Sequence, residues 1–136
     1  MTEKEKLKKK IDDKKAQISK TKTKLKTVKN QLSDIQSAKK AIAKLKEKTN
    51  SRSSALARVD CKNRDYWEGA VKTRSISSYD QSIKATKSYS NGIEDLANDI
   101  ARKEKNLSDT QKSLNSALST AEKVLSSLQK EYKALD

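Results

Sequence analysis

Residues 93–135 read IEDLANDIARKEKNLSDTQKSLNSALSTAEKVLSSLQKEYKAL, and this stretch decides the fold. Its apolar side chains recur every seven residues, at Ile93, Ile100, Leu107, Leu114, Ala121, Leu128 and Leu135. A second row is expected beside the first, at Leu96, Ala117 and Val124. The stripe is widened by Leu118, Leu125 and Tyr132. A seven-residue apolar repeat is typical of a helix that packs lengthwise against another helix. A stripe of this width predicts that the helix can bury against more than one neighbour.

The first part of the chain carries a similar but narrower stripe. Its apolar residues occupy the a and d positions of one heptad register, at Leu7, Ile11, Ile18, Leu25, Val28, Leu32, Ile35 and Ile42. Lys14, Thr21 and Lys39 fill the remaining positions of that register. Ala38 and Leu45 lie one position off it, so we expect the stripe to begin to drift around the helix there.

The turn between the two stripes is predicted at Trp67-Glu68-Gly69, almost at the midpoint of the chain. Asp65 and Glu68 have the spacing of a capping box, so a helix could begin near Tyr66. A reversal there pairs residue i with about 138 − i and aligns the two stripes along their length. The expected fold is therefore all-α, a single long antiparallel helical hairpin resembling a coiled coil over residues 1–136. Arm one covers about 3–62, the turn region about 63–70, and arm two about 71–136.

Residues 46–92 are less regular, and two alternatives stay open there. Residues 49–54 read TNSRSS, which is poor helix sequence without an apolar stripe residue, so a loosened helix is expected near 50. Asn91 and Glu94 have capping spacing beside Gly92, which suggests a helix break near residues 88–92. The rival fold is a three-helix arrangement that turns at residue 91.

Composition argues against an enzyme. The 136 residues include no His and one Cys, and only 32% are hydrophobic. Without His, the commonest general base and metal ligand are both missing. A single thiol, Cys61, can form neither an internal disulfide nor, alone, a zinc site. The two glycines, Gly69 and Gly92, are too far apart to form a phosphate-binding loop. We therefore predict no catalytic residue, no cofactor and no metal.

Charge and hydropathy indicate the kind of partner and the compartment. Residues 1–45 carry a net charge of +10, residues 46–90 carry +5, and residues 91–136 carry −1. Such a basic end favours an acidic partner, whether protein, nucleic acid or anionic membrane. The chain begins MTEKEKLKKKIDDKK, without the apolar segment of a signal peptide. We expect a protein that is cytoplasmic when synthesised and that, if secreted, uses a route that reads no leader.

The W-x-G at the turn and the Y-x-x-x-D at the end resemble the WXG (Esx-like) helical hairpins of type VII secretion. Trp67 and Gly69 occupy the first motif, and Tyr132 and Asp136 occupy the second. The length and the Lys-rich first arm are most similar to the small targeting proteins associated with LXG toxins (Lap-like). The resemblance covers the whole chain in architecture, and its specificity depends on these four residues.

The resemblance implies a targeting factor or chaperone that binds the helical N-terminal domain of an LXG-type toxin. A second small helical partner could join the complex, which the membrane ATPase of the secretion system would receive. The residues expected at the partner interface are Ile93, Ile100, Leu107, Leu114, Leu118, Leu125 and Leu128. Tyr132 and Asp136 would present one exposed face to a receptor, and a signal that also includes Trp67 would be assembled between chains.

Plainer interpretations of the same residues stay open. Trp67 could simply cap the apolar stripe at a bend, and Tyr132 could be a stripe residue beside Leu125 and Leu128. The alternative functions are a basic coiled-coil protein that binds nucleic acid or anionic membrane, and a structural spacer that forms homodimers.

Overall fold

Two long helices account for nearly all of the described chain. A computed structural model describes the backbone of residues 2–58 and 69–136 and the side chains of 2–58 and 73–136. Helix α1 spans Glu3–Ala57 and helix α2 spans Gly69–Ala134, and these described residues contain no strand. The all-α hairpin expected from the apolar repeats is confirmed. The capping box at Asp65 and Glu68 lies outside the described residues, as does Trp67.

The hairpin divides into two compact units, each formed by one segment of each helix. Unit 1 comprises Met1–Ile35 and Lys103–Asp136, and unit 2 comprises Gln36–Arg102. In unit 1 the start of α1 lies beside the end of α2, where Lys4 pairs with Asp136. In unit 2 Ile42 lies beside Ala97. The helices are thus antiparallel in each unit, with the 138 − i pairing that the sequence predicts.

The hydrophobic core of each unit is a seam, the line along which the two helices pack. The buried hydrophobic residues of unit 1 are Leu7, Ile11, Ile18, Leu25, Val28, Ile35 and Ala121. Those of unit 2 are Ile42 and Ile93. Leu32 is half-buried in the same row. The heptad register of α1 therefore identified its buried face correctly.

Helix α1 does not loosen near residue 50, and that expectation was wrong. It continues through the TNSRSS segment to Ala57, and Thr49 is only 6% exposed. Thr49 lies seven residues after Ile42, so it occupies the same row of the seam. Polar residues cost roughly 0.5 kcal/mol each in helix propensity, an amount that tertiary packing readily overrides. The seam, extended by a threonine, keeps this segment helical.

Helix α2 shows no break at residues 88–92, which also rules out the three-helix alternative. It is continuous from Gly69 to Ala134, and Gly92 lies in its interior. Ile93 is 7% exposed and anchors this turn of the helix in the seam of unit 2. A single glycine weakens a helix by about 1 kcal/mol, too little to end one that is packed in this way.

The second row of the α2 seam lies one residue away from the predicted one. The expected residues Leu96, Ala117 and Val124 are exposed, Leu96 to 49% and Val124 to 39%. The half-buried row instead contains Ala97, Leu118, Leu125 and Tyr132. The apolar stripe of α2 is broad enough to offer either flank, and the narrow stripe of α1 covers only one.

The remaining boundaries are close to the expected ones. Ala38 is half-buried while Lys39 is exposed, so the stripe of α1 drifts as predicted. Helix α1 ends at Ala57, and residues 59–62 of the predicted first arm lie outside the described residues. Helix α2 already begins at Gly69, inside the predicted 63–70 turn region.

Candidate binding surface of the second helix

The last turn of α2 brings the two C-terminal motif residues against the start of α1. The amine of Lys4 donates a hydrogen bond to Oδ1 of Asp136 and lies 5.1 Å from the centroid of the Tyr132 ring. Tyr132 and Asp136 therefore do share one side of the helix end, as their spacing predicts. Lys4 of the same chain already contacts both.

The two motif residues differ in accessibility. Tyr132 is half-buried and belongs to the half-buried row of the α2 seam, whereas the side chain of Asp136 is 61% exposed. The amides of Leu135 and Asp136 donate to the carbonyls three residues before them, which tightens the helix end. A receptor would meet the Asp136 carboxylate first and the tyrosine only at its edge.

The start of α1 is held by a capping box that also positions Lys4. The amide of Glu5 donates to Oγ1 of Thr2 at 3.2 Å, and the amide of Thr2 donates to Oε2 of Glu5 at 3.0 Å. This reciprocal pair satisfies helix N–H groups that would otherwise lack a partner. The pattern Thr2-x-x-Glu5 was present in the sequence, and the pairing rule places Lys4 opposite residue 134. Both signals could have revealed this cluster in advance.

The electrostatics of the cluster are modest. Its hydrogen bond to Asp136 raises the pKa of Lys4 above the ordinary value of 10.5, the charges of Asp136 and Tyr132 add to the rise, and desolvation opposes it. Because the ion pair lies in solvent, it orients side chains more than it stabilises the fold. An incoming cation could displace Lys4 at little energetic cost.

The other motif gains no geometry from the structure. Gly69 is the first residue of α2. Trp67 lies outside the described residues, and so does the prediction that it contributes to a signal assembled between chains.

The residues predicted for the partner interface lie along the seam of α2. Ile93 is buried, and the other six, Ile100, Leu107, Leu114, Leu118, Leu125 and Leu128, are half-buried. In the described residues α1 buries seven hydrophobic side chains and α2 only two. Val124 and Leu135 add exposed apolar area on α2 in unit 1. The apolar surface of α2 therefore exceeds what α1 covers.

A shallow open hollow lies beside Tyr132 in unit 1. Its rim carries Lys8, Lys15 and Lys133, with Asp12 as the acidic member. The hollow is too open to enclose a small ligand, because such sites bury most of the ligand surface. Its basic rim suits an acidic side chain of a protein partner.

Within the described part of the chain no group of acidic or thiol side chains is placed to hold a metal ion. The described helices also include none long and apolar enough to cross a membrane. No protein family, curated protein or solved structure matches the chain. The functional argument therefore depends on the motifs and on the surface of α2.

Proposed function

We propose that this protein is a targeting factor and chaperone of type VII secretion that binds the helical N-terminal domain of an LXG-type toxin. In this proposal it is a binding module and not an enzyme. The observation that carries the proposal is the incompletely covered apolar face of α2. The motif residues Trp67, Gly69, Tyr132 and Asp136 supply the resemblance to this class of proteins.

The partner expected from this surface is an amphipathic helix. In unit 1 the apolar residues of α2 that remain half-exposed recur at helical spacing from Leu107 to Leu128. A helix that offers apolar residues at intervals of three and four positions can bury this stripe. Acidic residues along its edges would pair with the lysines around the hollow beside Tyr132. The helical domain of a toxin meets these requirements without any catalytic contribution from this chain.

The export step is assigned to Tyr132 and Asp136. In the proposed complex the membrane ATPase recognises the exposed Asp136 carboxylate and the accessible edge of Tyr132. Since Lys4 contacts both groups, the receptor would have to replace this lysine with a cation of its own. Recognition is thereby separated from the stripe that binds the toxin.

Binding is tested by co-expressing the full chain with the helical domain of the neighbouring LXG toxin and isolating the complex. Leu118→Asp places a charge in the half-buried stripe, and we expect at least a tenfold loss of affinity. Ser119→Asp adds the same charge at an exposed position and should bind like the wild type. Far-UV circular dichroism establishes that both variants are helical. Equal binding by the two variants would contradict the assignment of this surface.

Export is tested separately with conservative variants at the helix end. Asp136→Asn and Tyr132→Phe retain side-chain size, so we expect toxin binding to persist while toxin export falls. Lys130→Gln changes an exposed charge on the same helix and should leave export unchanged. Unimpaired export of the toxin by both motif variants would remove the targeting role and leave the chaperone role standing.

The charge of the first arm favours a second candidate function, binding to nucleic acid or an anionic membrane. Fifteen lysines and five acidic residues lie within residues 1–45. If DNA is the ligand, its affinity should fall steeply as salt rises, because each phosphate contact releases counterions. Lysines occur on many faces of α1, however, so a solvated surface explains them equally well. Weak binding that does not vary with salt would discard this candidate.

A further inference from the structure

One side of unit 2 carries a group of exposed apolar residues that the hairpin leaves uncovered. Leu45 is 40% exposed, Tyr89 55% and Leu96 49%. We call these three residues the Leu45 patch. They lie in one compact unit, and the pairing of the helices there places Leu45 at the level of Leu96.

The heptad pattern places the three residues on the same side of the hairpin. Tyr89 and Leu96 each immediately precede a half-buried residue of the α2 seam, and Leu45 immediately precedes the heptad a position at Lys46 in α1. In two antiparallel helices, equivalent flanking positions face the same side, because reversing the chain direction also reverses left and right. The opposite side carries smaller side chains, including Ala43 of α1, beside the seam residues Ile42 and Ala97. The large apolar residues are therefore concentrated on one side.

Gly92 provides an opening within the patch. It lies three residues after Tyr89 and four before Leu96, so all three share one face of α2. A Cβ atom at Gly92 would meet nothing within 4 Å. Two large side chains on either side of a glycine form a hole that accepts one apolar side chain from a neighbouring helix.

The charges around the patch have opposite signs on its two edges. Lys44 and Lys48 are exposed beside Leu45 on α1, whereas Asp95 and Asp99 are exposed beside Leu96 on α2. Asp99 also accepts a hydrogen bond from Arg102 one turn later. A partner that fits this surface must present an acidic edge to α1 and a basic edge to α2.

We propose that the occupant of the Leu45 patch is a second copy of this chain, related by a twofold axis parallel to the helices of unit 2. This axis places α1 of one copy against α2 of the other. Leu45 of each copy then enters the hole at Gly92, and the lysine edge faces the acidic edge. The two basic α1 helices lie on the diagonal, as far apart as four helices permit.

The alternative twofold axis, perpendicular to the helices, is disfavoured by charge. It would place Lys44 and Lys48 of one copy against α1 of the other, and the acidic edges against each other. Like charges directly opposed across an interface oppose association. The distribution of charge therefore selects the parallel axis. This homodimer goes beyond the proposed function, since it uses unit 2 whereas the proposed toxin contact lies in unit 1.

Self-association is tested by sedimentation equilibrium of the full chain from micromolar to millimolar concentration at near-physiological salt, where repulsion between the basic surfaces is screened. We expect a reversible dimer, and Leu96→Glu should raise its dissociation constant at least tenfold. Asn98→Glu adds the same charge at an exposed position away from the patch and should dimerise like the wild type. A wild-type chain that stays monomeric, or a Leu96→Glu variant that dimerises normally, overturns the proposal.

The direction of the axis is tested by exchanging charges. One variant carries Lys44→Glu with Lys48→Glu, and the other carries Asp95→Lys with Asp99→Lys. Each opposes like charges when it pairs with itself, so each alone should be largely monomeric. A chain with all four substitutions restores opposite charges only about the parallel axis, and it should dimerise at least tenfold more tightly than either double variant. A four-substitution chain that stays monomeric would overturn the axis. Toxin co-purification with Leu96→Glu reports on the proposed function independently.

Discussion

The substitution Gly92→Ala tests directly whether α2 runs unbroken through the segment where the sequence suggests a break. Gly92 is exposed and lies in the interior of a helix of 66 residues. Its added methyl group would find open space within its own chain. No clash and no new packing contact is therefore expected, and the effect reduces to the intrinsic cost of glycine in a helix.

That cost sets the magnitude. Alanine is more favourable than glycine in a helix interior by about 0.8–1.0 kcal/mol, largely because glycine has more conformational freedom in the unfolded chain. We expect the free energy of unfolding to rise by about this amount. For a chain of this size the melting temperature should increase by about 3–5 °C. Amide exchange around residue 92 should slow about fivefold where local opening governs it.

Thermal and urea unfolding followed by far-UV circular dichroism measure the change. The comparison is made in chains that also carry Leu96→Glu, so that self-association through the Leu45 patch does not contribute. The matched control is Ala101→Gly, which removes a methyl group from an exposed position of the same helix. It should destabilise the chain by an equal amount.

A clear destabilisation by Gly92→Ala would refute the reasoning. It would mean that residue 92 adopts a backbone conformation that alanine resists, as at the end of a helix. The break near 88–92, and with it the three-helix alternative, would then return. A neutral result together with a destabilising Ala101→Gly would indicate that the segment around Gly92 is frayed in solution.

Three further predictions concern the seam and the helix ends. Ile18→Ala should lower the free energy of unfolding by about 2–3 kcal/mol, because Ile18 is 8% exposed in the seam of unit 1. Ser19→Ala, at an exposed position, is its control, and equal effects in urea unfolding would contradict the assigned seam. Thr49→Val should stabilise the chain by about 0.5–1 kcal/mol, since it removes a hydroxyl from a site that is 6% exposed. A destabilised variant would show that this hydroxyl forms a hydrogen bond worth more than its burial costs. The raised pKa of Lys4 means that its ion pair with Asp136 contributes stability fully below pH 10.5, and that the contribution is lost as pH rises through the raised value. Lys4→Gln should lack this alkaline step in the melting temperature, and an identical step in both chains would exclude the ion pair as its cause.

The sequence by itself determined the helices, their number and their pairing. Apolar residues every seven positions make a continuous stripe only on a helix, and the near absence of turn residues leaves one place to reverse the chain. Once two stripes of similar length flank that place, the antiparallel pairing follows from burying them together. Ile42 therefore lies beside Ala97, as the pairing rule predicts.

The candidate site was only partly accessible from the sequence. Tyr132 and Asp136 stand out through their motif and their helical spacing. Lys4 does not, because many lysines of the first arm have the same local sequence environment. It contacts both residues only because the hairpin brings position 4 to the end of α2, across a separation of 132 residues from Asp136.

The tertiary structure alone decided which flank of α2 is buried and where the helices remain intact. The stripe of α2 is broad, so Leu96 and Val124 are as suitable for burial as Leu118 and Leu125, and only contact with α1 separates them. Thr49 and Gly92 likewise read as helix breakers from local preference. Local preferences amount to about 1 kcal/mol or less per residue, and packing along a shared seam exceeds them. Periodicity within one helix defines a stripe, but the neighbouring helix determines how much of that stripe is covered.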